Sequence, residues 1–192
     1  MSADSKAICV VCSSSNEASV TQIEAAESLG TLIGRKGHRL VYGGSANGLM
    51  GVIARATQGA GGQVTGIIPQ QLVDLGLANK SDDDQIITRD VRARKAMMEV
   101  NADAFIALPG GFGTLECLME IVSLRMLGRH QKPIVLVNVD GFYNHLALFF
   151  QVIYREKFAA ADMAQAYHLA SDPNSAIGYI ERYKPGHRQP WQ

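Results

Sequence analysis

The chain has 192 residues, 47% hydrophobic and 19% charged, with 18 Lys and Arg against 18 Asp and Glu. That composition excludes intrinsic disorder, and a formal net charge of zero argues against a nucleic-acid partner held by bulk electrostatics. No apolar run approaches the ~20 residues of a membrane span, and the polar start Met1–Lys6 does not read as a signal peptide.

Strand and helix patterns alternate along the chain. Ile8–Cys12 is a short apolar strand. Val20–Arg35 has helical spacing in Ile23, Ala26, Leu29 and Ile33, closed by Gly37. Arg39–Tyr42 reads as a second strand, Gly48–Ala60 as a helix stopped by Gly61-Gly62, and Val64–Ile68 as a strand ended by Pro69. Gln70–Gln85 is irregular, with Ser81-Asp82-Asp83-Asp84 expected as a solvated loop. Gln85–Thr88 is a short strand and Val91–Asn101 a helix. Ala104–Leu108 is a continuous apolar strand, as expected where helices cover both faces. Thr114–Leu127 is a helix, Pro133–Val137 a strand, Tyr143–Phe158 a strongly apolar helix and Asn174–Tyr183 a terminal helix.

Repeats of this kind build right-handed βαβ units. The expected fold is α/β: one Rossmann-like, doubly wound parallel sheet with helices on both faces. A single domain is expected over 1–183, with a flexible C-terminal tail over 184–192. Cys9 and Cys12 fall on opposite faces of a strand and read as buried thiols, and with Cys117 they are too few for a disulfide framework. An odd number of free thiols favours the cytoplasm.

Ligands of such folds bind beyond the carboxyl ends of the strands. Glycine is over-represented, with 19 against about 13 at the usual frequency. It concentrates at two strand ends, Tyr42-Gly43-Gly44-Ser45-Ala46-Asn47-Gly48 and Leu108-Pro109-Gly110-Gly111-Phe112-Gly113-Thr114. A third strand end carries Ser13-Ser14-Ser15. Strand, small flexible residues and helix together expose backbone N–H groups at the positive end of a helix, which suits a phosphate. Neither G-x-G-x-x-G nor G-x-x-x-x-G-K-[ST] is present, which weighs against a dinucleotide dehydrogenase and a P-loop NTPase. Glu116 is expected in the first turn of the following helix. Arg94-Lys95 stands near the start of another helix, where cations oppose the dipole. His38, His130, His145, His168 and His187 are scattered, and no metal or other cofactor is expected.

The run Pro109-Gly110-Gly111-Phe112-Gly113-Thr114-Leu115-Glu116, with Arg94-Lys95 and Tyr42-Gly43-Gly44…Gly48-Leu49-Met50-Gly51, resembles the Lonely guy (LOG) family. Its members are cytokinin riboside 5′-monophosphate phosphoribohydrolases, many with an older label of possible lysine decarboxylase. The resemblance runs from about Ile8 to Phe158. It implies hydrolysis of the N-glycosidic bond of a nucleoside 5′-monophosphate, such as AMP, by a homodimer whose active sites draw on both subunits. It makes Arg94 and Glu116 the catalytic pair. It makes Lys95, Gly110, Gly111, Phe112, Gly113 and Thr114 substrate-binding, with Ser123 near a family threonine. Ser14, Gly44 and Ser45, at the other strand ends, join the expected substrate-binding set.

Three positions depart from the family pattern. Cys117 stands where the signature ends in a Glu, Val91-Arg92 replaces Met-His, and Gly76 falls where a substrate-contacting Glu is usual. The same resemblance extends to a second class, nucleotide or molybdenum-cofactor carriers that bind without turnover.

Overall fold

The computed structural model describes residues 5–159 and 166–185, so most of the expected tail lies outside the described residues. The elements are β1 (Ala7–Val11), α1 (Val20–Arg35), β2 (Arg39–Tyr42), α2 (Gly48–Gly59), β3 (Gln63–Pro69), α3 (Gln70–Asp74), β4 (Asp84–Thr88), α4 (Val91–Val100), β5 (Ala104–Ala107), α5 (Phe112–Met126), β6 (Ile134–Val137), α6 (Asn144–Arg155), β7 (His168–Ala170) and α7 (Pro173–Arg182). A 3₁₀ turn spans Val139–Gly141.

The seven strands form one parallel sheet in the order β4-β3-β2-β1-β5-β6-β7. Side chains alternate across it with period two. Ile8, Val10, Leu40 and Ile106 pack with residues of α1, α2 and α7 on one face. Cys9, Val11, Val41 and Phe105 pack with residues of α4 and α5 and with Tyr143 on the other. Cys9 and Cys12 therefore belong to opposite layers, as the strand period requires. The fold is the expected doubly wound, Rossmann-like α/β sheet.

Local chemistry explains where elements begin and end. Ser19 and Gln22 form a capping box at α1: the Ser19 side chain accepts from the Gln22 N–H, and the Gln22 side chain accepts from the Ser19 N–H. Gly37, at φ +73°, ends that helix, with Gly37 N–H donating to the Gly34 carbonyl and His38 N–H to that of Ile33. Gly30 and Gly34 let α1 lie directly on α2. A Cβ on either would stand 2.6 Å from a backbone carbonyl oxygen, that of Ile53 or of Thr57.

Four details differ from the sequence expectation. One turn of helix, α3, breaks the region expected to be irregular. A seventh strand, β7, adds an edge, and three residues are too few to leave a periodic signal. The apolar helix α6 begins at Asn144 and stops at Arg155, three residues short of Phe158. Ser81–Asp84 is not a purely solvated loop. The Asp82 carboxylate is half-buried and accepts from the Tyr42 hydroxyl at 2.8 Å and from Asn79 Nδ2 at 2.7 Å. Asp83 accepts from the Val64 N–H at 2.8 Å, and Asp84 opens β4. Acidic composition signalled solvent, but specific donors hold these carboxylates against β2 and β3.

Burial pushes the Asp82 carboxyl up to about 6, against an ordinary 3.8. Between those values the folded state binds more protons than the unfolded chain, so this group's contribution to stability falls as pH rises through 6. Asp82→Asn should raise the unfolding temperature at neutral pH by about 2–4 °C and give no such gain near pH 4, as thermal melts at the two pH values would show.

Candidate active site

The strand order reverses between β1 and β5, whose crossovers leave in opposite directions and open a crevice at their carboxyl ends. A cleft of about 390 Å³ occupies it, a size suited to a small ligand. Ser13, Ser14 and Ser15 line it after β1, Gly43, Ser45 and Asn47 after β2, and Gly111, Gly113 and Thr114 after β5. Arg94 and Met98 enter from α4, and Cys117 from α5.

The three strand-end loops are not equivalent. The serine turn does not lead straight into a helix. Ser13 Oγ accepts from the Ser15 N–H and Ser15 Oγ from the Glu17 N–H, and α1 starts only at Val20, behind its own capping box. At α2 the Gly48 N–H donates to Asn16 Oδ1 at 2.9 Å and the Met50 N–H to the Ser13 carbonyl at 3.3 Å. Those donors are already occupied. At α5 the cap is Gly111, which has no side chain to offer. The N–H groups of Phe112 and Gly113 carry no hydrogen bond among the described residues, whereas Thr114 and Leu115 donate to the Gly111 carbonyl. Among the described residues, α5 therefore brings two adjacent free donors, on residues at the rim of the cleft, and the positive end of a 15-residue helix.

Thr114 is held beneath this loop. A Cβ on Gly110 would collide with the Thr114 side chain and lie 2.9 Å from the Ser13 nitrogen, so β1 and β5 meet here with no room to spare. The Tyr143 hydroxyl fixes the same strand end by donating to the Leu108 carbonyl at 2.7 Å. On the opposite wall Gly44, at φ +70°, turns the chain so that its carbonyl accepts from the Asn79 N–H at 2.8 Å.

Cationic character comes from α4. Asp90 caps that helix by accepting from the Ala93 N–H at 2.8 Å, a bond that holds its carboxyl below the ordinary range. A carboxylate at the cap offsets the basic residues that follow. The Arg94 guanidinium lies over Gly43, and its Nε is buried without a hydrogen-bond partner. A donor left in that state marks where an acceptor from a ligand fits. Lys95, one residue on, turns aside to pair with Glu116 and, at 2.5 Å, with Glu120. The hydrogen bond to Glu116 and then that to Glu120 raise its pKa.

Glu116 is the fifth residue of α5 rather than a member of its first turn. It faces Lys95 and does not line the cleft. The residue that α5 does present there is Cys117, one helical turn beyond Gly113. Burial pushes the Cys117 thiol up, so it stays neutral. No carboxylate is among the residues that line the cleft. Of the expected site residues, the cleft gathers Ser14, Ser45, Arg94, Gly111, Gly113 and Thr114. Gly44 and Gly110 shape its walls from behind, and Phe112 is exposed at the helix start. Ser123 lies 11 residues along α5 from Phe112, about 16 Å away at the usual rise. Sequence reasoning missed Leu72 and Leu77, which carry no chemical signature, and the inward position of Cys117, which helical phase from Gly113 would have given.

The geometry defines a Rossmann-like α/β protein with one anion-receptive helix N-terminus at its switch point. A family model described as "Possible lysine decarboxylase" matches residues 50–180. The cytokinin riboside 5′-monophosphate phosphoribohydrolase LOG5 of Arabidopsis thaliana is 38% identical over 180 residues, covering 94% of this chain and 79% of the relative. The probable cytokinin riboside 5′-monophosphate phosphoribohydrolase LOGL6 of Oryza sativa subsp. japonica is also 38% identical, over 94% and 72%. The chain belongs to this family, the LOG family. Among solved structures, the Moco carrier protein of Chlamydomonas reinhardtii superposes with a TM-score of 0.72 at 22% identity, covering 93% of this chain and 96% of the other. The molybdenum cofactor binding protein of Rippkaea orientalis does so with a TM-score of 0.68 at 27% identity, over 92% and 96%. Lysine decarboxylation in its pyridoxal form needs a neutral lysine amine for an imine. Lys95, the lysine beside the cleft, is instead held protonated by two carboxylates.

Substitutions on the α5 loop separate its glycines. Gly110→Ala should weaken AMP binding by up to about 100-fold, the cost of moving a loop by 1 Å. Gly113→Ala, where a Cβ meets nothing within 4 Å, should leave the unfolding temperature unchanged. Calorimetric titration and thermal melts read both.

Proposed function

We propose that the protein hydrolyses the N-glycosidic bond of a nucleoside 5′-monophosphate, AMP or a cytokinin riboside 5′-monophosphate, to free base and ribose 5-phosphate. The observation that carries this reading is the helix N-terminus of α5 open to the cleft: its adjacent free N–H groups suit one phosphate. Relatives 38% identical over 94% of the chain are named for this activity.

In this reading the 5′-phosphate accepts from the Phe112 and Gly113 N–H groups and from the Thr114 hydroxyl. Arg94 anchors the nucleotide through its unpartnered edge. The ribose then lies along the first turns of α5. Loss of the base builds positive charge at C1′, as in glycoside hydrolysis. Glu116, more than half exposed, paired with Lys95 and accepting from the Cys117 thiol at 3.9 Å, reaches that charge by a change of rotamer. Water gives its hydroxyl to C1′ and a proton to the carboxylate. The C1′–N9 electron pair leaves with the base, which takes up one proton.

The active unit is a homodimer. Leu148 and Phe149 on α6 and Met119 on α5 are exposed apolar side chains that a second copy would cover. A monomeric mass by light scattering would remove this element. The compartment is the cytoplasm, where the three free, buried thiols stay reduced. No helix among the described residues is long and apolar enough to cross a membrane. One domain spans 1–183.

A second reading, a carrier that binds a nucleotide-like cofactor without turnover, is favoured by the absence of a carboxylate from the cleft lining. One assay separates the two. Incubation with AMP should release adenine and ribose 5-phosphate, whereas binding without release supports the carrier. Glu116→Gln should cut turnover by about 10²–10⁴-fold with binding retained. Arg94→Ala should weaken binding by about 10- to 100-fold as well as slowing turnover. Wild-type turnover in the first, or an unchanged KM in the second, would refute the assigned role.

A further inference from the structure

Helices of this chain that start behind a short polar side chain use it as their cap. Ser19, Asp90 and Asp172 each accept from an N–H of the helix they precede. Asn47, the cap residue of α2, does not, and its carboxamide carries no hydrogen bond among the described residues. Other residues close that helix start. The Gly48 N–H donates to Asn16 Oδ1 at 2.9 Å, and the Met50 N–H, a donor that an asparagine cap would take, goes to the Ser13 carbonyl at 3.3 Å. The backbone of Asn47 is held as well: its N–H donates to Ser45 Oγ at 3.3 Å, and its carbonyl accepts from the Gly51 N–H at 3.2 Å. At Gly48, φ +56°, a Cβ would stand 2.4 Å from the Ser15 carbonyl oxygen, so the turn after β1 sits directly on this helix start. A fixed backbone thus carries a free carboxamide, and the residue lines the cleft.

In the sheet β1 alone separates β2 from β5, so the strand ends that lead to α2 and α5 stand two spacings apart, roughly 10 Å. With a 5′-phosphate at Phe112 and Gly113, the next group along the nucleotide, the ribose, spans that gap over the end of β1. The base needs apolar walls, which Leu72, Leu77 and Met98 supply elsewhere in the cleft. The ribose carries two neighbouring hydroxyls, each able to donate and to accept. A carboxamide matches the pair, with an acceptor oxygen and an NH₂ donor side by side.

Resting on the nucleotide-hydrolase reading of the cleft, we propose that Asn47 is a further catalytic residue that grips the ribose diol: Oδ1 accepts from the 2′-hydroxyl, and Nδ2 donates to the 3′-oxygen. The contact to the 2′-hydroxyl strengthens as positive charge builds at the neighbouring C1′. Asn47 therefore acts on rate more than on binding. It transfers no proton, because the carboxamide has none to give or take.

The test compares AMP with 2′-deoxy-AMP on the parent protein, Asn47→Leu and Asn47→Ala, with base release and calorimetric affinity measured in parallel. Both variants should melt with the parent, since the side chain holds nothing inside the protein. Base release from AMP should fall about 100-fold, mostly in kcat, while release from 2′-deoxy-AMP stays within about 2-fold of the parent's. A merely structural residue would slow the two substrates alike. Equal losses on both substrates, or no loss on AMP, overturn the proposal. A changed preference between AMP and IMP in place of that split would move the carboxamide to the base and overturn it too. So does unfolding of both variants, which would show the side chain to be spent within the fold. If the parent binds AMP without releasing adenine, the hydrolase reading fails and affinity decides on Asn47. The parent should then bind AMP about 2- to 10-fold more tightly than 2′-deoxy-AMP, and both variants should bind the two equally. A ratio that survives in the variants sinks the role of Asn47. Adenine release by the parent, with variants that slow both substrates alike, sinks that role and leaves the hydrolase reading standing.

Discussion

Two backbone N–H groups, those of Phe112 and Gly113, set what this cleft can hold. They are free because α5 begins at a glycine cap with no side-chain acceptor, and they face the crevice because β1 and β5 part company there. The other helix starts around the crevice are partly closed. Ser19 and Gln22 cap α1, and Asn16 and the Ser13 carbonyl take donors of α2. An anion entering the cleft therefore meets one receptive pole. The Gly110–Thr114–Ser13 contact holds that pole to the sheet, and an added methyl group at Gly110 would disturb all three.

Charge around the crevice is arranged by helix phase. Neighbouring residues on α4 face different spaces: Arg94 lies over Gly43 with a free buried donor, and Lys95 turns to the carboxylates of α5. Glu116 and Cys117 divide in the same way. The thiol faces the nucleotide cleft and the carboxylate stands beside it in an ion pair. That exchange gives the chain a neutral, small side chain where the family signature has an acid. The far wall is tied down by Asp82, Tyr42 and Asn79, which fasten the segment after α3 to the end of β2.

The alternation of strand and helix was legible because its signals are periodic and local: Ile23, Ala26, Leu29 and Ile33 on α1, and unbroken apolar runs at β1, β5 and β6. The site loops were legible because glycine clusters only where the backbone must come close to something. Which loop was open was not legible. That depends on contacts between residues far apart in sequence, such as Gly48 with Asn16, a separation of 32 positions. The burial of Asp82 escaped composition for the same reason, since its donors Tyr42 and Asn79 come from β2 and from the segment after α3. The facing of Glu116 away from the cleft follows from helix phase, since the residue one turn on from Gly113 is Cys117.

A crystal structure of the protein with AMP tests the central claim most directly. The account predicts phosphate oxygens within hydrogen-bond distance of the Phe112 and Gly113 nitrogens and of the Arg94 side chain. A phosphate seated instead at the start of α1 or α2, with the Phe112 and Gly113 N–H groups facing solvent, would contradict it.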